Sequence, residues 1–152
     1  VKKRVCLSKN SNLTNIYMKY LTSKMNVFIL VVILSFTLDN VLFQCAIPTP
    51  NTFINNFVHH IISMYLWFGS LIFGNYLYHL LFLCVVLVFQ YYNKWKCPIT
   101  IEYNKQCGFN LKEHHKDIIY WINKNIFEKI PYYTFLKLLF VYDIYKLLLH
   151  YK

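Results

Sequence analysis

Acidic residues are scarce in this chain, six Asp and Glu against sixteen Lys and Arg, and charged residues of all kinds make up only 14% where soluble domains carry about 25%. A surface hydrated by charge on every side is therefore excluded. Glycine occurs three times in 152 residues, so there is no glycine-rich loop to cradle a phosphate. The five cysteines include no Cys-x-x-Cys and fit no standard zinc spacing. No Ser–His–Asp set and no pair of catalytic carboxylates stands out. The familiar sequence signatures of hydrolases, nucleotide-binding enzymes and zinc modules are missing.

What the chain has is apolar residues, 57% of the total, gathered in runs. Residues 57–73 and 76–92 are two 17-residue runs without an acid, a lysine or an arginine, and only Gly74 and Asn75 separate them. As helix each is about 25 Å long at 1.5 Å per residue, near the shortest length that crosses a bilayer. Gly-Asn is a strong turn signal, so the pair reads as a transmembrane helical hairpin. Gly69 and Ser70 suit close helix contact in lipid. The net charge of +10 comes from residues outside these runs. Lysines flanking apolar segments are explained by anionic headgroups and loop charge, not by nucleic acid, and no nucleic-acid partner is expected.

Along the chain, 1–25 holds Lys2, Lys3, Arg4, Lys9, Lys19 and Lys24 and no acid, and reads as a basic tail. Residues 26–46 are apolar but for a few polar positions that include Asp39. They read either as a cleaved signal peptide or as a retained span; the residues before Ala46 make a poor cleavage site, which favours the span. Pro48 and Pro50, with Thr and Asn around them, read as a turn ahead of the hairpin. Residues 93–131 form the main polar segment. Within it Leu111, His115, Ile118, Ile119, Ile122 and Ile126 recur at helical spacing, the pattern of an amphipathic helix on the membrane surface. Residues 133–150 are apolar again, with Asp143, Lys146 and His150 sharing a face, and read as a last span or an interfacial helix. The expected fold is thus all-α: a helical membrane protein with a central transmembrane hairpin, three or four membrane segments and one amphipathic surface helix, 26–152 forming a single domain.

Trp95, Cys97, Pro98, Thr100 and Glu102 follow the hairpin. This stretch resembles the W-x-C-P-L-T-x-x-E motif of a family of small bacterial multi-pass membrane proteins of unknown function, which has similar proteins in giant DNA viruses and protists. Ile99 stands for the Leu, and Glu102 sits one position early. The resemblance covers about residues 57–105, with His79, or His59 or His60, matching the family's helix histidine. It implies insertion in a membrane, host or viral if the chain is viral, and no known reaction.

The candidate functional groups are few. His59 and His60 lie at the same depth end as Gln90, Cys97 and Asp39, and together they make a candidate polar cluster. His60 and His79 lie at different depths in the hairpin and cannot share one iron. Cys97 and Cys107 bracket a short loop and are candidates for a disulfide in an oxidising compartment. Thr100 is a candidate cap for a short helix starting at Ile101, with Glu102 in its first turn. Adjacent His114 and His115 point about 100° apart on a helix and read as a solvated face. No cofactor and no metal site is expected. The leading expectation is a membrane protein with a structural or interaction role, its partners being the bilayer and another membrane protein or a second copy. Two alternatives stand beside it. One is a membrane-bound thiol or metal redox protein using Cys97, Cys107, His59 and His60. The other is a membrane-permeabilising protein using Asp39, Asp143 and Lys146.

Overall fold

Residues 1–47 contain neither glycine nor proline, and nothing in them interrupts a helix. In the computed structural model, which describes residues 5–42, 44–94, 97–110, 119, 122 and 132–150, this segment is one continuous helix, α1 (Val5–Leu42). The expected separate tail over 1–25 is corrected accordingly: from Val5 onward its backbone belongs to α1. At 38 residues α1 is about 57 Å long, well beyond a bilayer core. Its apolar part, Met18–Leu42, has a mean hydropathy of 2.0 and is the one described stretch that qualifies by itself as a membrane span.

The prolines after α1 start a helix as well as end one. Thr49 is extended and caps α2 (Pro50–Phe73): its hydroxyl accepts from the Thr52 amide at 3.2 Å, and the Thr49 amide donates back to the Thr52 hydroxyl at 2.7 Å. This is a reciprocal capping box. Pro50 occupies the first helical position, where its missing N–H costs nothing. The helix therefore begins at Pro50 and not near residue 57 as the apolar run suggests. It ends where expected, at Gly74, whose left-handed φ of 72° closes the last turn onto the Ser70 carbonyl. Helix α3 (Tyr76–Tyr92) follows at once.

Helix α4 (Pro98–Cys107) starts with Cys97 as its N-cap residue and Pro98 at its first position, and stops at left-handed Gly108. Thr100 is thus inside the first turn and does not cap, a second correction. Helix α5 (Tyr132–His150) is 19 residues long. The amphipathic helix expected within 111–126 lies outside the described residues, save Ile119 and Ile122, which are helical.

Helix α2 is the hub. Helix α1 runs antiparallel to it: Lys24 Nζ donates to the Phe73 carbonyl at 3.3 Å at one end, and Phe36 packs edge-on against Phe53 and Phe57 at the other. Helix α5 lies against α3, with Tyr142 beside Tyr76, and reaches α2 where Phe135 meets Trp67. The short α4 packs across the opposite end of α2 from the Gly74 turn, with Asn55 donating to Gln106 at 3.2 Å. A disulfide from Cys45, in the α1–α2 connection, to Cys107, at the end of α4, ties that end together with Cα atoms 4.9 Å apart.

The distribution of side chains is inverted relative to a soluble protein. Ser35, Asp39, Thr52, Asn56, His60, Ser70, His79 and Asp143 are buried, and buried polar residues outnumber buried apolar ones among the described residues. Meanwhile Leu30, Val41, Leu71, Leu81, Val85, Phe89, Val141 and Leu148 are each more than half exposed. Soluble monomers seldom expose continuous apolar surface on this scale.

Candidate functional site

The polar interior resolves into two clusters along α2, one around His59 and His60 near its middle and one nearer the Gly74 turn. At the disulfide end, α1 presents Ser35 and Asp39, four residues apart and so on one face. His60 of α2 lies between them. Its Nδ1 is 2.9 Å from the Ser35 hydroxyl and its Nε2 is 3.4 Å from Asp39 Oδ2. With Nε2–H donating to the carboxylate, Nδ1 is a bare acceptor and the Ser35 hydroxyl donates to it. The sequence offered no recognisable Ser–His–Asp set, and the fold builds one from two helices. Ser35 is fully buried, however, so its hydroxyl has no open approach for a substrate.

His59, next along α2, faces α4. Thr100 Oγ1 lies 3.4 Å from its Nδ1 and Cys97 Sγ lies 3.8 Å from the same atom. Asn56 donates to Asn40 at 3.4 Å one turn further out. Tyr103, buried on α4, has its hydroxyl pushed up to about 12, by burial first and then by the charge of Asp39.

Of the residues read at this depth, Asp39 lies beside His60 and Cys97 beside His59, while Gln90 is buried near the end of α3; Thr100, read from the sequence as a helix cap, joins His59 here. Glu102 is not part of this cluster: it is exposed on α4 and accepts a hydrogen bond from Gln106 at 2.9 Å. Pro98 starts α4, and Trp95 lies outside the described residues. The candidate Cys97–Cys107 disulfide is overturned. The two cysteines sit at opposite ends of α4, about 15 Å apart at 1.5 Å per residue, whereas a disulfide needs Cα atoms within about 7 Å. Cys107 is bonded to Cys45 and Cys97 is a free thiol.

The second cluster lies nearer the Gly74 turn, and the sequence showed its ionisable residues but not their pairing. His79, in the first turn of α3, points Nε2 at the backbone carbonyls of Leu66, 3.0 Å away, and Tyr65, 3.2 Å away. Its Nδ1 meets Oδ2 of Asp143 on α5. Both side chains are fully buried. Gly69 makes this approach feasible: a Cβ there would lie 3.0 Å from the His79 ring and 2.9 Å from that of Tyr65. Of the stripe Asp143, Lys146 and His150, only Asp143 is buried; Lys146 is half-buried and His150 is exposed. Two isolated ionisable residues in apolar runs, His79 and Asp143, were the available signal for this pair. Their partnership needs α5 to fold back on α3, which no local pattern encodes.

Among the described residues no group of three or more His, Cys, Asp and Glu is placed to hold a metal ion. Compared with known proteins, the chain matches no family model, no curated protein and no solved structure.

Proposed function

We propose that the chain is a multi-pass integral membrane protein in which α1, α2, α3 and α5 span the bilayer and α4 lies at one interface, and that its role is structural or interactive. The observation that carries this reading is the inversion of the surface: lipid-facing Leu, Val and Phe outside, His, Asp, Ser and Asn inside. In water that arrangement exposes apolar area at a cost of roughly 25 cal/mol per Å²; in lipid it costs nothing. The lengths agree with it. Helices α2, α3 and α5 are about 36, 25 and 28 Å long against a hydrocarbon core of about 30 Å. Likeness of the stretch 95–102 to small multi-pass membrane proteins points the same way.

Retention of α1 is supported by what its removal would do. A cleavage near residue 46 would take away Ser35 and Asp39, the partners of His60, and Cys45, the partner of Cys107. The disulfide supports one orientation of the proposed bundle. Structural disulfides persist in oxidising compartments, which puts Cys45, Cys107 and α4 on the lumenal or exterior side. The basic N-terminal residues and the C-terminus are then on the cytoplasmic side, as loop charge prefers. The thiol redox alternative loses Cys107 to this disulfide and retains only the Cys97–His59 contact.

Carbonate extraction tests the proposal. The protein is expected to remain in the membrane pellet and to need detergent for release; recovery in the soluble fraction ends the membrane reading.

A further inference from the structure

A thiol acts as a nucleophile where a base can take its proton and a substrate can reach its sulfur. Cys45 and Cys107 are joined in the disulfide, and Cys84 is exposed on α3 among Leu, Val and Phe. Cys97 differs from all three. It is partly exposed at the start of α4, and its Sγ is 3.8 Å from Nδ1 of His59. His59 itself is buried, so the base is sheltered while the sulfur is open. Thr100, also buried, brings Oγ1 to 3.4 Å from the same nitrogen. Without a proton, Nδ1 accepts from the Thr100 hydroxyl and has the Cys97 thiol as a second donor.

Helix α4 adds a third element. Its first residue, Pro98, has no N–H, and Ile101 donates to the Cys97 carbonyl at 3.1 Å. The amides of Ile99 and Thr100 between them have no acceptor within the helix, and the Cys97 side chain does not cap them. Two N–H groups beside the sulfur can hold the oxygen of a carbonyl that the sulfur attacks. Depth indicates which carbonyl. Tyr91 and Tyr92, the last residues of α3, are 68% and 79% exposed, as suits aromatic residues at the headgroup layer. Lys94, exposed just after them, suits a lipid phosphate. Cys97 follows three residues later. The carbonyls concentrated at that level of a bilayer are the ester groups of its lipids.

We propose that Cys97 and His59 are a nucleophile and its base, and that the pair takes an acyl group from an ester of a membrane phospholipid. The inference rests on the four-span reading, which brings α4 to the interface. Cys97 Sγ gives its proton to His59 Nδ1 and bonds to the ester carbonyl carbon, while the amides of Ile99 and Thr100 hold the oxyanion. The carbon–oxygen bond to glycerol breaks, and the glycerol oxygen takes the proton from His59 as the lysophospholipid leaves. Water then attacks the thioester. One of its protons returns to the Cys97 sulfur through His59, and a fatty acid departs.

The test uses full-length protein in phosphatidylcholine–phosphatidylglycerol liposomes. Lysophospholipid and fatty acid are followed by mass spectrometry, and the protein is quenched in acid and mapped. Wild type and Cys84→Ser are expected to release the two products in equal amounts and to carry an acyl chain on the Cys97 peptide that neutral hydroxylamine removes. Cys97→Ala is expected to fall to the protein-free rate. His59→Gln, shown to be folded by circular dichroism and an intact Cys45–Cys107 bond, is expected to acylate Cys97 at least about a hundredfold more slowly. Carbonate-resistant wild type that releases no more lysophospholipid than empty liposomes overturns the acyl transfer and leaves the span reading standing. So does undiminished release by Cys97→Ala or by folded His59→Gln, or an acyl chain on Cys84 alone. Turnover of p-nitrophenyl acetate without lysophospholipid overturns the lipid ester as substrate. Protein that fails to enter the bilayer at all overturns the four-span reading and this inference with it.

Discussion

Replacing Asp143 by Leu removes the carboxyl group that hydrogen-bonds His79 Nδ1 and leaves that nitrogen of a fully buried imidazole facing a methyl group. A buried polar atom deprived of its partner costs about 1–3 kcal/mol. His79→Leu alone strands Asp143, whose Oδ1 already has no partner among the described residues, and its cost belongs at the top of that range. The double variant strands neither group, so it is less destabilising than the two single changes added together. Charge-assisted bonds are worth about 1.5–3 kcal/mol in water. Interhelical polar couplings in lipid average only about 0.6 and reach about 1.7 kcal/mol, because helices separated in the bilayer find other partners. His79 and Asp143 are fully buried and hydrogen-bonded to each other, so their coupling should be near the upper value, about 1.5 kcal/mol or roughly a tenfold change in the α5-docked population. Trp67, which packs against Phe135 of α5 with ring centroids 6.3 Å apart, reports that docking by fluorescence during denaturation in bicelles, with Trp95 and Trp121 replaced by Phe. Single-variant effects that simply add, within about 0.5 kcal/mol, would show that the pair does not hold α5 to the hairpin.

Further outcomes follow from the same geometry. Gly69→Ala drives a methyl group to 3.0 Å from a His79 ring that is held at both nitrogens, and should lower stability in thermal unfolding by about 1–3 kcal/mol; an unchanged midpoint would mean that α3 stands further from α2. Non-reducing peptide mapping should recover Cys45 joined to Cys107 and Cys97 free to react with maleimide, and a Cys97–Cys107 peptide would contradict the docking of α4. Tyr103 holds its proton more tightly folded than unfolded, so its share of stability is intact below pH 10.0 and is lost as the pH rises towards about 12; Tyr103→Phe should remove that alkaline loss, as followed by circular dichroism.

The hairpin was legible in the sequence because its determinants are local: two uncharged runs, and a Gly-Asn pair whose left-handed glycine closes α2. The start of α2 was misread because Pro50 breaks a helix from the inside yet begins one from the outside, and only the Thr49–Thr52 box decides between the two. Depth counting could put His59, His60, Asp39, Cys97 and Gln90 at one level, since helices of known rise fix which residues share a depth; it could not say that Thr100, read as a cap, would face His59. Partner choice was not. Cys107 pairs with Cys45 across 62 residues, and His79 meets Asp143 across 64; both depend on how whole helices dock. Ser35 looked like any small residue in an apolar run until α2 brought His60 to it.

Sidedness tests the four-span bundle most directly. In sealed, uniformly oriented vesicles, with the other thiols replaced except Cys45 and Cys107, a membrane-impermeant maleimide is applied from one face at a time to two single-thiol proteins. One carries Asn75→Cys at the hairpin turn, the other retains Cys97 at the start of α4. The account predicts that the two label from opposite faces. Labelling of both from the same face would contradict it, because α3 would then not cross the membrane.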